Sequence, residues 1–215
     1  MGRPIPKAYL LLRGKPILYY SLEKFSTSSL VSEIVVVIHS EDRPLLQSNV
    51  LDAYSFEKEL RVVLGGEHRQ DSSLAGVQAT RSRWVAVHDG ARPFVSLQLL
   101  EAVFEAARTH RAALPTLPIQ ETVKSVDSER LIAGEVSREM LSFAQTPQCF
   151  ERELLQRSLE AAHQQKRYFT DEAGAVLAMS GVRAKIVPGE GQNIKITTPW
   201  DLQLAEALLE KGLTA

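Results

Sequence analysis

The chain has 215 residues, which at roughly 150 per domain is one large domain or one domain with a small appendage. Its 25 basic and 26 acidic residues leave a formal net charge of −1, which argues against nucleic acid as the main partner, because binding a phosphate backbone needs concentrated positive charge. With 44% apolar and 24% charged residues the composition excludes a disordered chain, and no apolar run approaches the ~20 residues that span a bilayer.

The opening segment, Met1 to Lys7, has no apolar stretch of the secretory kind, and Pro6 stands where a myristoylation motif needs Ser or Thr. The one cysteine, Cys149, cannot form an internal disulfide and reads as a core or strand residue. These features predict a cytoplasmic protein with no membrane partner.

Along the chain, short apolar runs alternate with helix-period stretches. Pro16 to Phe25 reads as a helix, and the β-branched run Ser32 to Ile38 reads as a strand covered on both faces. Glu41 to Leu51 reads as a helix, Arg61 to Leu64 as a strand and Asp71 to Thr80 as a helix. Trp84 to His88 is a further strand and Leu97 to Arg108 a further helix. This order predicts an α/β fold with a mostly parallel sheet built from crossover units. After His110 the pattern changes. Ala112 to Ile119, Glu121 to Val126 and Leu131 to Val136 are extended, with a turn at Asp127-Ser128-Glu129, so a β-hairpin arm spanning about 119–138 is inserted into a single domain, 1–215. Helices return at Glu151 to Gln164 and Thr170 to Met179, a strand at Ala184 to Val187, and a last helix at Pro199 to Lys211. Thr198 is placed to cap that last helix.

In open parallel sheets, ligands sit outside the carboxyl ends of the strands, and three such places carry chemistry. The first is Gly65-Gly66-Glu67-His68-Arg69-Gln70-Asp71-Ser72-Ser73. It is either a tight strand-to-helix turn capped by Asp71-Ser72-Ser73 or a place where backbone amides meet an anion or a base. The second is His88-Asp89-Gly90-Ala91-Arg92-Pro93. Asp89 and Arg92 suit a metal-bound triphosphate or a ribose, or else pair to lock a loop. His88 reads as a structural neighbour, since a phosphate nucleophile needs no base near neutral pH. The third is Gln192 to Asp201, where Lys195 is opposed in facing to Ile194 and Ile196. Lys195 is either a snorkelling surface residue at a strand end or a cation aimed at a phosphoryl oxygen. Lys7 poses the same question.

Six short stretches in this order resemble the 2-C-methyl-D-erythritol 4-phosphate cytidylyltransferases of isoprenoid biosynthesis over essentially the whole chain. They are Pro6 to Leu10, Gly65-Gly66 through Ser72, His88 to Pro93, Thr146-Pro147-Gln148, Thr170 to Ala173, and Asn193 to Thr197. The resemblance implies a nucleotide-binding, Rossmann-like fold of the nucleotide-diphospho-sugar-transferase type, and a homodimer joined through the β-arm. It implies transfer of CMP from CTP to a polyol phosphate with Mg²⁺ bound to the triphosphate, the protein's metal ligands being undefined. Lys7 matches the lysine that stabilises the transition state. Lys195 matches the one that positions the attacking phosphate, and Arg138 the arginine that reaches across the dimer. Asp89, Gly90, Arg92, Thr122 and Thr146 match substrate-pocket positions, and Gly66, Glu67 and Ser72 match positions around the cytosine. The same resemblance leaves ribitol 5-phosphate as an alternative acceptor, and a non-catalytic nucleotide-binding subunit as an alternative role. Members of the family begin with a strand and a Pro-Ala-Ala-Gly-x-Gly-x-Arg-Met loop. This sequence starts at the last residue of that loop, so a segment upstream is expected to complete the sheet and the triphosphate cradle. Without it, neighbouring strand edges stay unpaired and an apolar groove stands open.

Overall fold

The computed structural model describes residues 5–214. The Met1–Pro4 opening, which bears on the signal and myristoylation readings, lies outside them. A 3₁₀ turn, Lys7–Tyr9, leads into a small hairpin that no sequence pattern announces, β1 (Leu11–Leu12) and β2 (Lys15–Pro16). Its two-residue turn puts Arg13 and Gly14 at φ 51° and 78°, the left-handed pair that matches strand twist. Helix α1 (Ile17–Thr27) and strand β3 (Ile34–Ile38) follow as expected. The single helix expected over 41–51 is instead a 3₁₀ turn at Ser40–Asp42, a short α2 (Arg43–Leu46) and a π turn at Gln47–Leu51. Pro44 has no N–H to continue a helix begun earlier, so α2 starts afresh there. Leu46 and Val50, four apart, still bury one face of this segment against β3.

Strand β4 (Leu60–Leu64) lies parallel to β3 with Val36 opposite Val62. Helix α3 (Arg69–Gln78), strand β5 (Trp84–Val87), helix α4 (Leu97–His110) and strand β6 (Ala112–Pro118) come next. The expected arm is present as β7 (Val123–Val126) and β8 (Ile132–Val136), antiparallel, with Asp127 accepting from the Glu129 and Leu131 amides in the turn. Two strands then appear that the sequence pattern does not foretell, β9 (Ser142–Ala144) and β10 (Gln148–Glu151). The chain closes through α5 (Arg152–Gln164), α6 (Glu172–Ser180), β11 (Lys185–Pro188) and α7 (Pro199–Glu210), the last capped by Thr198 as expected.

The main sheet runs β11-β6-β10-β5, with β9 also on β6. β11 is parallel to β6, but β10 is antiparallel to both of its neighbours, so the sheet is mixed at its centre. Strand alternation sends Cys149 into the core under α4 and Phe150 into the core under α3, α5 and α6. Burial raises the Cys149 thiol to a pKa of about 12, so it remains a protonated core group.

Among the described residues β3–β4 form a sheet of their own, unpaired with β5. Between β3 and β5 lies a cavity of about 640 Å³ lined by Val35, Val37, Val85, Val87, Leu22 and Phe25, its lining extending to Arg69, Ser72, Asp89 and Gly90. Among the described residues no helix is long and apolar enough to cross a membrane.

Candidate functional site

The site is built around Asp89, the second residue past the carboxyl end of β5. Its backbone amide donates to the Thr146 hydroxyl at 3.1 Å, and its carbonyl accepts from the Arg92 amide at 2.9 Å, which closes a tight turn. The carboxylate gathers three cations. Lys195 Nζ lies 2.8 Å from Oδ2, Arg69 Nη2 3.2 Å from Oδ1, and Arg92 Nε 3.7 Å from Oδ2. Burial alone would raise its pKa, but the hydrogen-bonded Lys195 ammonium, with Arg69, outweighs that and holds it below the usual carboxylate value. Asp89 is therefore an anion at neutral pH.

The two cations named by sequence behave differently. Arg92 is buried behind Asp89 and donates to the Asn193 carbonyl at 2.7 Å and the Ala144 carbonyl at 3.5 Å. Of its two readings, the geometry displays the loop-locking pair. Lys195 is more exposed and sits in a loop rather than at a strand end, which corrects that expectation. The loop is pinned by the Ile196 amide on the Ala91 carbonyl at 2.8 Å. Ile196 is buried, so the alternation turns Lys195 the other way, onto Asp89.

His88 is structural, as expected. Its Nε2 lies 3.0 Å from the Arg92 carbonyl, its Nδ1 3.1 Å from the Thr146 hydroxyl, and its ring meets Phe25 edge-on. A neutral ring that donates from Nε2 and accepts at Nδ1 satisfies both contacts. Desolvation brings its pKa down to about 4, so it is uncharged at neutral pH. Thr146 is buried and serves as the fixed post for both His88 and Asp89.

The Gly65–Ser72 turn adjoins this group. The Gly65 amide donates to the Ile38 carbonyl at 2.8 Å, which folds the turn against the first turn of α3. A Cβ on Gly65 would fall 2.4 Å from Ser72 Oγ, and one on Gly66 2.4 Å from Asp71 Cβ, so only glycine lets the backbone come this close. The capping differs from expectation. His68 is the N-cap, and Asp71 and Ser72 lie within the helix, where the Asp71 carboxylate accepts from the His68 amide at 3.2 Å. The cap moves because Asp71 supplies the reciprocal half of a capping box from the third helical position. Glu67 is exposed at the turn's tip.

Lys7 is exposed on its 3₁₀ turn, which is anchored by buried Tyr9. Its neighbour Ala8 faces Gly90, where an added Cβ would lie 3.1 Å from Leu18 and 4.0 Å from Ala8. The Lys7–Tyr9 turn thereby lies beside the Asp89–Arg92 loop. Thr122 and Arg138 are on the arm, both exposed. Arg138 donates to the Gln120 carbonyl, and among the described residues neither bonds to the Asp89 group within one protomer. Two members of the group are absent from the sequence-based set. Arg69 and buried Glu172 form a two-pronged pair at 2.6 and 3.0 Å, and Ser73 donates to the same carboxylate. The only signal for Glu172 is its place in the Thr170-Asp171-Glu172-Ala173 stretch.

Of the two carboxylates in this group, Glu172 is 1% exposed and Asp89 14%, so Asp89 is the one a ligand could reach. Among the described residues no three His, Cys, Asp or Glu side chains come together. This donor set fits an ion held chiefly by triphosphate oxygens with one protein carboxylate at its side.

Comparison with known proteins bears on the whole chain. The family model described as IspD, 2-C-methyl-D-erythritol 4-phosphate cytidylyltransferase, matches residues 1–211. A 2-C-methyl-D-erythritol 4-phosphate cytidylyltransferase from Caldanaerobacter subterraneus subsp. tengcongensis is 38% identical over 213 residues, covering 98% of this chain and 93% of the relative. One from Geobacter metallireducens is 39% identical over 218 residues, with 99% and 93% covered. Among solved structures, the cytidylyltransferase of that name from Thermus thermophilus superposes with a TM-score of 0.79 at 33% identity, covering 95% and 94% of the two chains. The 4-diphosphocytidyl-2C-methyl-D-erythritol synthase of Anaerococcus prevotii does so with a TM-score of 0.83 at 29% identity, covering 93% and 88%. By a family model that spans residues 1–211 and relatives of 38–39% identity over nearly their whole length, the chain belongs to the 2-C-methyl-D-erythritol 4-phosphate cytidylyltransferase family, a family of nucleotidyltransferases.

Proposed function

We propose that this chain transfers CMP from CTP to 2-C-methyl-D-erythritol 4-phosphate, releasing pyrophosphate, in isoprenoid precursor biosynthesis. The observation that carries the reading is the convergence of Lys195, Arg69 and Arg92 on Asp89 at the carboxyl end of β5, beside the Gly65–Gly66 turn. An oxygen of the acceptor phosphate attacks the α-phosphorus of CTP, and the bond from that phosphorus to the bridging oxygen of the β-phosphate breaks. The attacking group is already an anion, so no general base is required, in keeping with a neutral, hydrogen-bonded His88. Catalysis is then positioning and charge placement.

In this scheme Lys195 holds the acceptor phosphate, and Lys7 meets the charge that builds on the α-phosphoryl oxygens. Asp89 holds Lys195 and stands beside the triphosphate, Arg92 and Thr146 fix Asp89, and Gly90 keeps the loop close to Lys7. Gly66, Glu67 and Ser72 offer backbone and side-chain contacts to the cytosine, with no side chain at Gly66 to block it. Magnesium, with the Asp89 carboxylate to hold it, would neutralise triphosphate charge. Arg138 and Thr122 serve the acceptor from the arm of the partner subunit in a homodimer. That reading is supported by apolar side chains on and near the arm that stay open in one protomer, Ile132 at 71% and Met140 at 84% exposure. A cytoplasmic setting accords with the unpaired cysteine.

The test is pyrophosphate release from CTP and Mg²⁺ with 2-C-methyl-D-erythritol 4-phosphate and, in parallel, ribitol 5-phosphate. A higher kcat/KM with the methylerythritol phosphate is expected. Preference for ribitol 5-phosphate would transfer the chain to the other acceptor, and no release with either would make it a nucleotide-binding subunit.

A further inference from the structure

Glu172 takes no part in the scheme above, yet it is one of the most buried side chains in the protein, 1% exposed. Its carboxylate accepts from Arg69 Nη1 at 2.6 Å and Nη2 at 3.0 Å, and from the Ser73 hydroxyl at 2.6 Å. Arg69 Nη2 also reaches Asp89 Oδ1 at 3.2 Å, while Asp89 Oδ2 receives Lys195. A continuous line of charged hydrogen bonds thus runs from the start of α6 through Arg69 and Asp89 to Lys195. Its far end is fixed. Asp171 caps α6 and accepts from Gln148 on β10, and Gln70 bonds the Arg167 carbonyl and the Phe169 amide just ahead of the helix. Glu172 cannot follow Arg69 if the guanidinium moves, so the guanidinium is held where Glu172 is.

We infer that Glu172 is a positioning residue for the transfer. By clamping Arg69 in a planar fork it fixes Asp89 Oδ1, and Asp89 in turn keeps the Lys195 ammonium at one place beside the reacting phosphates. Without that clamp, an arginine with a flexible stem would divide between solvent and Asp89, and Asp89 would rotate with it. The inference rests on the reading that Lys195 acts on the acceptor phosphate.

The experiment is a double-mutant comparison of E172Q in two backgrounds, the unaltered chain and K195M, with kcat and KM measured separately. In the unaltered chain E172Q is expected to lower kcat about tenfold with KM for CTP within about twofold, since small misplacements of a reacting group act on turnover. In K195M the ammonium is already gone, so E172Q should then cost less than about twofold further. A merely structural Glu172 would lower activity by the same factor in both backgrounds, and that result overturns the inference while leaving the role of Lys195 intact. Unchanged turnover in K195M alone would overturn the reading of Lys195 and the inference with it. If E172Q does not fold, the pair R69M with E172M removes both charges together and leaves no unpaired charge beside the buried 172 position. It should show the same loss of kcat and the same insensitivity in K195M. Full turnover in that folded double variant overturns the inference.

Discussion

His88 sets a pH dependence of stability that can be worked from its surroundings. The ring is held at both nitrogens and packed on Phe25, and burial carries its pKa from 6.5 to about 4. Between those values the unfolded chain binds a proton at this residue and the folded chain does not. Stability therefore rises with pH across the window and is lost as pH falls from 6.5 toward 4. A displacement from 6.5 to about 4, at about 1.4 kcal/mol per pH unit, limits the effect to roughly 3 kcal/mol. About 2 kcal/mol of that falls between about pH 7.5 and about pH 5, which for a chain of this size corresponds to roughly 4–8 °C in Tm. The assay is denaturant unfolding of the unaltered chain and His88→Asn at both pH values. The variant loses ring packing and is less stable throughout, but its loss between the two pH values should be smaller by about 2 kcal/mol. Equal losses in the two proteins would refute the argument, because other titrating groups, which the two share, would then account for the whole dependence.

Other outcomes follow from the same geometry. Lys7→Ala should cut kcat by about 10²–10³, the effect of removing one fixed donor at developing charge, and near-normal turnover in a kinetic assay would exclude that role. On the proposal that Arg138 serves the partner's site, Arg138→Ala and Lys195→Met should each be weak alone but regain activity when unfolded and refolded together, because a mixed dimer would contain one site with both groups. No gain on mixing would place Arg138 in its own protomer's site. Phe150, fully buried on the α3–α5–α6 side of β10, should cost about 3–5 kcal/mol as Phe150→Ala in equilibrium unfolding, and a loss below about 1 kcal/mol would deny it a core role.

How far the sequence discloses this molecule depends on the length of each signal. Ile34 to Ile38 is five β-branched residues in a row, and the arm carries an Asp127 turn between two extended runs, so both are legible. Strand β10 is four residues, Gln148 to Glu151, between Pro147 and a helix, too short for any period to show. Its antiparallel course is set by what it pairs with, not by its own residues. The 41–51 segment has helical spacing, but Pro44 and the π turn break it in ways that spacing alone does not report. At the site, Asp89 and Lys195 are found because both flank ends of elements, where ligand chemistry is looked for. The Arg69–Glu172 pair is missed for a physical reason. The partners are 103 residues apart, and an acid in the first turn of a helix is already accounted for by the helix dipole.

Asp89 itself presents a conflict that can be resolved by experiment. Three cations face two carboxylates, so an arriving triphosphate meets a site with a small positive surplus and one anion in its midst. If Asp89 serves to hold Lys195, its negative charge opposes nucleotide binding while supporting turnover. Asp89→Asn should then separate the two. With magnesium chelated, removing one repulsion at about 6 Å and an effective dielectric of ~40 is worth about 1.4 kcal/mol, or about tenfold tighter binding of CTP by calorimetry. With magnesium present, kcat should fall, because the ammonium loses its charged partner and its fixed place. Tighter metal-free binding with slower turnover is the signature of a residue that places a cation, the Lys195 ammonium or the magnesium, and does not itself touch the nucleotide. Weaker binding of metal-free CTP would refute that account and make Asp89 a direct contact to the nucleotide, since only a group that holds the ligand itself is missed in the absence of metal.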